Sequence, residues 1–239
     1  MKNVLIFGAT GGIGESVARL FASKGYSIGI HYVGNKDKAN TLSNEFNKSG
    51  AKNIIVEGDI SDENQVIQIY KKTKKALGSI DVVINTAGIM KLSPIKTLDL
   101  NIFDDIIRIN VRGAFIASKY ALEYLSKEGS LLNFSTTVTR AQTVNYGAYA
   151  ASKSAVETMT LILAREAKGI NIRINAIAPG PVATPLFTAG KTDEQIKAIS
   201  QLNPMERIGM PDDIAEAVFS IISSKWINGQ VIFVNGGMA

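Results

Sequence analysis

A chain of 239 residues that is 46% hydrophobic and 20% charged is globular in composition and long enough to bury one large α/β core. The net charge of +5 is spread over amphipathic segments, as in Lys71, Lys72, Lys74 and Lys75 beside Val66, Ile69 and Tyr70, a solvated helix face and not a nucleic-acid groove. With no cysteine, and with His31 as the single histidine inside an apparent strand, the composition argues against disulfides, thiolate chemistry, a Ser-His-Asp triad and thiolate or multi-histidine metal sites, and no metal is expected.

Strands are predicted near 3–7, 27–33, 53–57, 80–85, 130–135, 171–177 and 230–234. Between them fall helices near 12–24, 37–49, 62–76, 101–126, 149–168 and 211–223. Seven strands alternating with helices imply a parallel, doubly wound sheet with helices on both faces, a three-layer sandwich formed by residues 1–239 as a single domain. In the first helix Ile13, Val17, Leu20 and Phe21 make a buried stripe, and Gly25 stops it. In the third, Ser61 is expected to be the N-cap, with Asp62 and Glu63 complementing the helix dipole. The segment near 186–203, flanked by Pro185 and Pro204, interrupts the alternation and reads as a lid over a site. The apolar run Val4 to Ala9 is too short for a signal peptide or a membrane span, so a soluble cytoplasmic protein is expected.

The first strand turns into the first helix through Gly8-Ala9-Thr10-Gly11-Gly12-Ile13-Gly14, four glycines in seven residues. Glycines there allow positive φ and let backbone N–H groups approach a pyrophosphate, while the helix dipole favours the anion. No Gly-Lys-Ser/Thr follows, so a nucleoside-triphosphate loop is rejected. An NAD site places an acid at the end of the second strand, but here that end reads His31-Tyr32-Val33-Gly34-Asn35-Lys36. Asn35 and Lys36 suit a 2′-phosphate, so NADP(H) is preferred, with NAD(H) the alternative.

The run Tyr149-Ala150-Ala151-Ser152-Lys153 places a phenol and an ammonium four residues apart on one helix face. An unperturbed tyrosine has a pKa of about 10, and an adjacent cation is expected to lower it toward a useful proton donor. Tyr146 has Ala150 four residues on, so no lysine can activate it.

With Gly8, Gly12 and Gly14 at the spacing Gly-x-x-x-Gly-x-Gly, Asn85-Thr86-Ala87-Gly88, and the Tyr149/Lys153 pair, the chain resembles the short-chain dehydrogenase/reductase family over nearly its whole length. It looks nearest to 3-oxoacyl-[acyl-carrier-protein] reductase-like members. The resemblance implies a Rossmann-type fold in which Gly8, Thr10, Gly11, Gly12, Ile13 and Gly14 meet the cofactor phosphates. Asp59 and Ile60 would border adenine, Asn85, Ala87 and Gly88 the ribose, and Pro179, Gly180, Val182 and Thr184 the nicotinamide. Tyr149 would exchange the proton. Lys153 would lower its pKa and bind ribose, and Asn110 would hold a water linking the lysine to solvent.

A hydroxyl from Ser135, Thr136 or Thr137 would orient the carbonyl. Spacing from Tyr149 and Gly129 favours Thr136, with Ser135 the alternative. Phe7 stands where such chains commonly carry threonine, which puts a strand-to-strand hydrogen bond in doubt. The implied activity is NADP(H)-dependent carbonyl reduction or alcohol oxidation on a small hydrophobic ketone or a 3-oxoacyl thioester, with an acyl carrier protein as a candidate partner. The alternative is a non-catalytic redox sensor that binds NADP(H) on the same fold. The resemblance also implies a homotetramer, and the segment from Val156 to Ala164, apolar around more than one stripe, could face a second subunit.

Overall fold

The computed structural model describes residues 2–239. Seven strands, β1 (Asn3–Phe7), β2 (Ser27–Tyr32), β3 (Asn53–Glu57), β4 (Val82–Asn85), β5 (Ser130–Phe134), β6 (Arg173–Pro179) and β7 (Val231–Val234), form one sheet in the order β3-β2-β1-β4-β5-β6-β7. Every pairing is parallel, as expected for strands joined by helical crossovers. The helices are α1 (Gly12–Ser23), α2 (Lys36–Lys48), α3 (Glu63–Leu77), α4 (Leu100–Ile106), α5 (Ala114–Tyr124), α6 (Val138–Ala141), α7 (Gly147–Glu166), α8 (Pro185–Thr188), α9 (Asp193–Ser200) and α10 (Pro211–Ser223).

Alternation along β1 sorts its side chains to the two faces of the sheet. Val4 and Ile6 join a core with Val17 and Phe21 of α1, Leu42 and Phe46 of α2, and Ile214 and Val218 of α10. Leu5 and Phe7 join a second core with Val66, Ile69 and Tyr70 of α3 and Ile116 and Ala121 of α5. Each fully buried Phe, Leu or Ile contributes about 1.5–3 kcal/mol relative to exposure. Two such layers hold the strand ends rigid around the site. At the buried Tyr70 the hydroxyl finds the carbonyl of Ala117 at 2.6 Å, so this ring brings no unpaired polar atom into the core.

Three local features differ from the sequence reading. Asp62, not Ser61, caps α3: its carboxylate accepts from Gln65 N–H at 3.0 Å, while Ser61 turns back to Asp59. The long helix expected over 101–126 is three pieces, because a π-helical segment, Ile107–Gly113, separates α4 from α5. Segment 186–203, read as a lid with no helix assigned, holds α9 and most of α8, α9 being opened by a capping box between Thr192 and Gln195. On the far side of the molecule Trp226, between α10 and β7, is 98% exposed.

Candidate active site

The sheet order reverses between β1 and β4, and open α/β sheets bind ligands in the crevice outside such a switch point. Gly8 leaves β1 at φ +75°, and a Cβ on Gly14 would lie 2.2 Å from the Gly8 carbonyl oxygen, so these two positions have no room for a side chain. Whereas α2, α3, α4 and α9 are capped by side chains of Asn35, Asp62, Asp99 and Thr192, α1 begins at Gly11 without a side-chain cap. Amides of its first turn are therefore left for an outside acceptor.

Two unpredicted residues brace the turn. Thr86 Oγ1 donates to the carbonyls of Phe7 at 2.8 Å and Gly8 at 3.1 Å. The strand-to-strand bond doubted at Phe7 is thus made from the opposite strand, and a threonine in the run Asn85-Thr86-Ala87-Gly88 was its signal. His31 Nδ1 accepts from Gly8 N–H at 3.1 Å, and Nε2 meets the carbonyl of Gly58 at 2.8 Å.

At the outer end of the crevice Asn35 caps α2 through Lys38 N–H at 3.0 Å, and Lys36 beside it is exposed. Lys38 is drawn off to Glu15 at 2.5 Å. The Asp59 carboxylate accepts from Ser61 and pairs with Arg108 at 2.9 Å. Burial raises its pKa, but these partners outweigh burial and hold it below the usual range. Ile60 is buried, and its side chain fills the space a Cβ on Gly113 would need.

The inner end is a cleft of about 1,070 Å³. Of the predicted residues, Ile13, Gly88, Ser135, Thr136, Tyr149, Lys153, Pro179, Gly180, Val182 and Thr184 line it, and Asn35, Lys36, Asp59 and Ile60 do not. Asn110 and Asn85 stand behind the lining, both buried. Oδ1 of Asn85 accepts from Ala87 N–H at 3.2 Å and shapes the loop that carries Gly88. Leu186, Phe187, Ile199 and Leu202 of the predicted lid and Met238 near the C-terminus supply an apolar wall.

Burial sets the electrostatics of the central pair. Tyr149 and Lys153 are 8% and 5% exposed. The Lys153 ammonium donates to the Phe134 carbonyl at 2.9 Å and lies 6.0 Å from the Tyr149 ring centroid. Loss of water pushes the phenol up to about 12, against a hydrogen bond with Thr136 that lowers it. The same loss brings the lysine down to about 8. Burial is the largest influence on the phenol, and Lys153 is not among the groups that act on it at this separation.

The three candidate hydroxyls are sorted by their partners. Ser135 donates to Glu157 at 2.5 Å, and Thr139 adds a second bond to that carboxylate at 2.8 Å. Thr137 donates to the Ala178 carbonyl at 3.3 Å. The Thr136 hydroxyl accepts from Val138 N–H at 3.4 Å and is the one of the three that acts on the Tyr149 phenol.

Asn110, inside the π segment, accepts from Ile89 N–H at 2.8 Å and donates to the Ile89 carbonyl at 2.9 Å and to Ser152 Oγ at 3.1 Å. Its amide thus ties the loop after β4 to α7. A Cβ on Gly88 would lie 3.1 Å from Asn110 Oδ1 and 3.3 Å from Lys153 Nζ, so glycine there lets this loop approach both. The uncapped α1 and the close-packed glycine turn fit the phosphates of a dinucleotide, and Lys153 stands in the adjoining cleft with one protein acceptor.

Residues 8–239 match the family model described as enoyl-(acyl carrier protein) reductase. The chain is 36% identical over 245 residues to a short-chain type dehydrogenase/reductase of Picea abies, covering 98% of this chain and 90% of that one. It is 34% identical over 249 residues to an NADPH-dependent aldehyde reductase-like protein, chloroplastic, of Arabidopsis thaliana, covering 98% and 92%. It superposes on a short chain dehydrogenase from Burkholderia cenocepacia J2315 in complex with NADP at a TM-score of 0.93, with 26% identity over 99% of this chain and 97% of that one.

Proposed function

The chain belongs to the short-chain dehydrogenase/reductase family, and from that premise we propose that it is an NADP(H)-dependent oxidoreductase acting between a carbonyl and a secondary alcohol. The observation that carries the reading is the Thr136–Tyr149–Lys153 set buried in one cleft next to a close-packed glycine turn. NADP(H), when bound, supplies the hydride. Gly8, Thr10, Gly11, Gly12, Ile13 and Gly14 hold its pyrophosphate, Asn35 and Lys36 the 2′-phosphate, and Asp59 and Ile60 border the adenine. Asn85, Ala87, Gly88 and Lys153 hold the ribose, and Pro179, Gly180, Val182 and Thr184 border the nicotinamide. The NADPH-dependent and NADP-bound relatives support this cofactor.

The protein's own chemistry is proton transfer and orientation. Thr136 and Tyr149 bring two hydroxyls to the same cleft, where both donate to a carbonyl oxygen as it gains negative charge during reduction. Tyr149 gives up its proton there, and Lys153 and Thr136 stabilise the phenolate left behind. With the phenol raised to about 12, Tyr149 is a fully protonated acid at neutral pH, the state reduction needs. In oxidation it must first be deprotonated, so that rate should climb with pH. Asn110 is a positioning residue: its amide ties Ile89 to Ser152 on α7, and it holds the water that links Lys153 to solvent.

Lys153 is the sole charged side chain lining the cleft among the described residues, which favours a neutral hydrophobic aldehyde or ketone. A 3-oxoacyl thioester delivered by an acyl carrier protein belongs to the same class: the description of the family model supports the carrier, and a 31% identical 3-oxoacyl-[acyl-carrier-protein] reductase of Staphylococcus epidermidis supports the 3-oxo group. Segment 186–203 acts as the lid over this substrate. A homotetramer completes the reading, supported by the exposed Phe115 of α5 and Ile162 of α7.

Following NADPH oxidation against a panel of apolar aldehydes, ketones and 3-oxoacyl thioesters tests the proposal. Tyr149→Phe should lower kcat by about 10²–10⁴-fold with NADPH affinity retained. Equal rates in the two proteins would remove Tyr149 from the chemistry. Tight NADPH binding with no turnover on the whole panel would favour the sensor reading.

A further inference from the structure

The mechanism makes no use of the chain's one histidine. His31 is 1% exposed on β2, the second strand from the sheet edge, where an unpaired imidazole would be costly. Both ring nitrogens are engaged by backbone. Gly8 N–H can only donate, so Nδ1, 3.1 Å away, must be its unprotonated acceptor. The Gly58 carbonyl can only accept, so Nε2, 2.8 Å away, must carry the proton. These two partners fix a single neutral tautomer. The Phe7 ring packs beside the imidazole at 5.0 Å, with Tyr70 of α3 behind Phe7 at 5.6 Å. Asp59 beyond the end of β3 is the charged group acting on it.

What the ring joins is informative. Gly8 opens the phosphate turn, and Gly58 immediately precedes Asp59 and Ile60, the border proposed for adenine. The backbone of β2 adds a parallel pair of links, since Ala9 N–H donates to the His31 carbonyl at 2.9 Å and Gly58 N–H to the Tyr32 carbonyl at 3.3 Å. The imidazole is thus a cross-strand bracket between the two loops that must grip opposite parts of one dinucleotide. We infer that His31 is a positioning residue for the cofactor: its neutral Nε2–H ring sets the spacing between the pyrophosphate turn and the adenosine wall. The inference rests on the NADP(H) reading above.

Two amides can divide the bracket, because an Asn side chain reaches the place of Nδ1 and a Gln side chain the place of Nε2. His31→Asn can still accept from Gly8 N–H, His31→Gln can still donate to the Gly58 carbonyl, and His31→Phe can do neither. NADPH and 2′,5′-ADP dissociation constants would be measured by calorimetry for all four proteins, with thermal melts as the control for folding. For His31→Phe the NADPH constant should rise on the order of tenfold or more, from the unpaired buried amide and the loosened turn, while kcat at saturating cofactor changes little. His31→Asn should restore NADPH binding. His31→Gln should restore 2′,5′-ADP binding more than NADPH binding.

A ¹⁵N spectrum of histidine-labelled wild type needs no assignment, because the chain has one histidine. It should show the Nε2–H form at neutral pH and a perturbed Nδ1 on adding NADPH, and it keeps the inference testable if the variants fail to fold. An Nδ1–H tautomer, or NADPH constants that match wild type in all three variants, would overturn the bracket while leaving the activity reading intact. Absence of NADPH binding by wild type would instead overturn the activity reading.

Discussion

The hydroxyl cluster after β5 shows how one residue can be selected from three by what its neighbours already hold. Glu157 occupies the Ser135 hydroxyl, so Thr136 is the donor free to work beside Tyr149. Thr136→Ala should cost about 10²-fold in kcat, with Thr136→Ser close to wild type and Ser135→Ala within a small factor. A Ser135→Ala protein as impaired as Thr136→Ala would transfer the role. Sequence spacing pointed to Thr136 but could not exclude Ser135, because the competing carboxylate stands 22 residues later. His31 was harder to read. Its partners are 23 and 27 residues away and are backbone atoms, which carry no side-chain signature.

Lys153 makes a second residue-scale prediction. Its pKa falls from 10.5 to about 8 on folding because the buried ammonium loses water. The folded state therefore gives up its proton first, and stability rises with pH between about 8 and 10.5, where the unfolded chain binds more protons. Below pH 8 the full penalty stands, about 3 kcal/mol at 1.36 kcal/mol per unit. Lys153→Met should melt at higher temperature than wild type at pH 7, with the gain shrinking toward pH 10, yet be inactive. Differential scanning calorimetry at pH 7 and pH 10 checks this. A variant less stable at both would mean that the Phe134 bond outweighs desolvation.

At the scale of elements, the glycine turn and the Tyr149/Lys153 helix were legible because their chemistry is local, within seven and five residues. The π segment was not, since a hydrophobic stripe of period 3.6 continues on both sides of it and says nothing about one widened turn. Yet that turn carries Asn110, consistent with the placing of π segments at functional sites. The short α6, α8 and α9 were missed as separate helices for a related reason: four to eight residues hold too few turns for a periodic pattern. The turn between β1 and α1 can be tested as a unit. Gly14→Ala places a methyl 2.2 Å from the Gly8 oxygen and 2.8 Å from Thr86 Oγ1, so it should lose about 1–3 kcal/mol to overpacking and bind NADPH far more weakly. Denaturant titration and calorimetry would read the two effects. A variant unchanged in both would show that the turn relaxes freely.

For the whole molecule, the alternation of short apolar runs with amphipathic segments was enough to anticipate seven parallel strands and two helical layers, because burial on both faces leaves parallel strands almost no other composition. Assembly is less legible, since an apolar stripe facing the sheet and one facing a partner look alike in sequence. On α7 Val156 is buried and Ile162 is 52% exposed, near in kind to Phe115 on α5 at 57%. Light scattering should find a tetramer at micromolar concentration, and Phe115→Glu with Ile162→Lys should shift it to smaller species without unfolding. A monomeric wild type would mean that these side chains stay in water.

The chain's single tryptophan, Trp226, stands almost wholly in solvent at the opposite edge from the cleft. Its emission should therefore be that of a hydrated indole, indifferent to events at the nicotinamide end. A blue shift on raising protein concentration would mean that a neighbouring subunit has covered the β7 edge, whereas association through α5 and α7 would leave the spectrum in place. One optical signal thus tells two modes of assembly apart without any label.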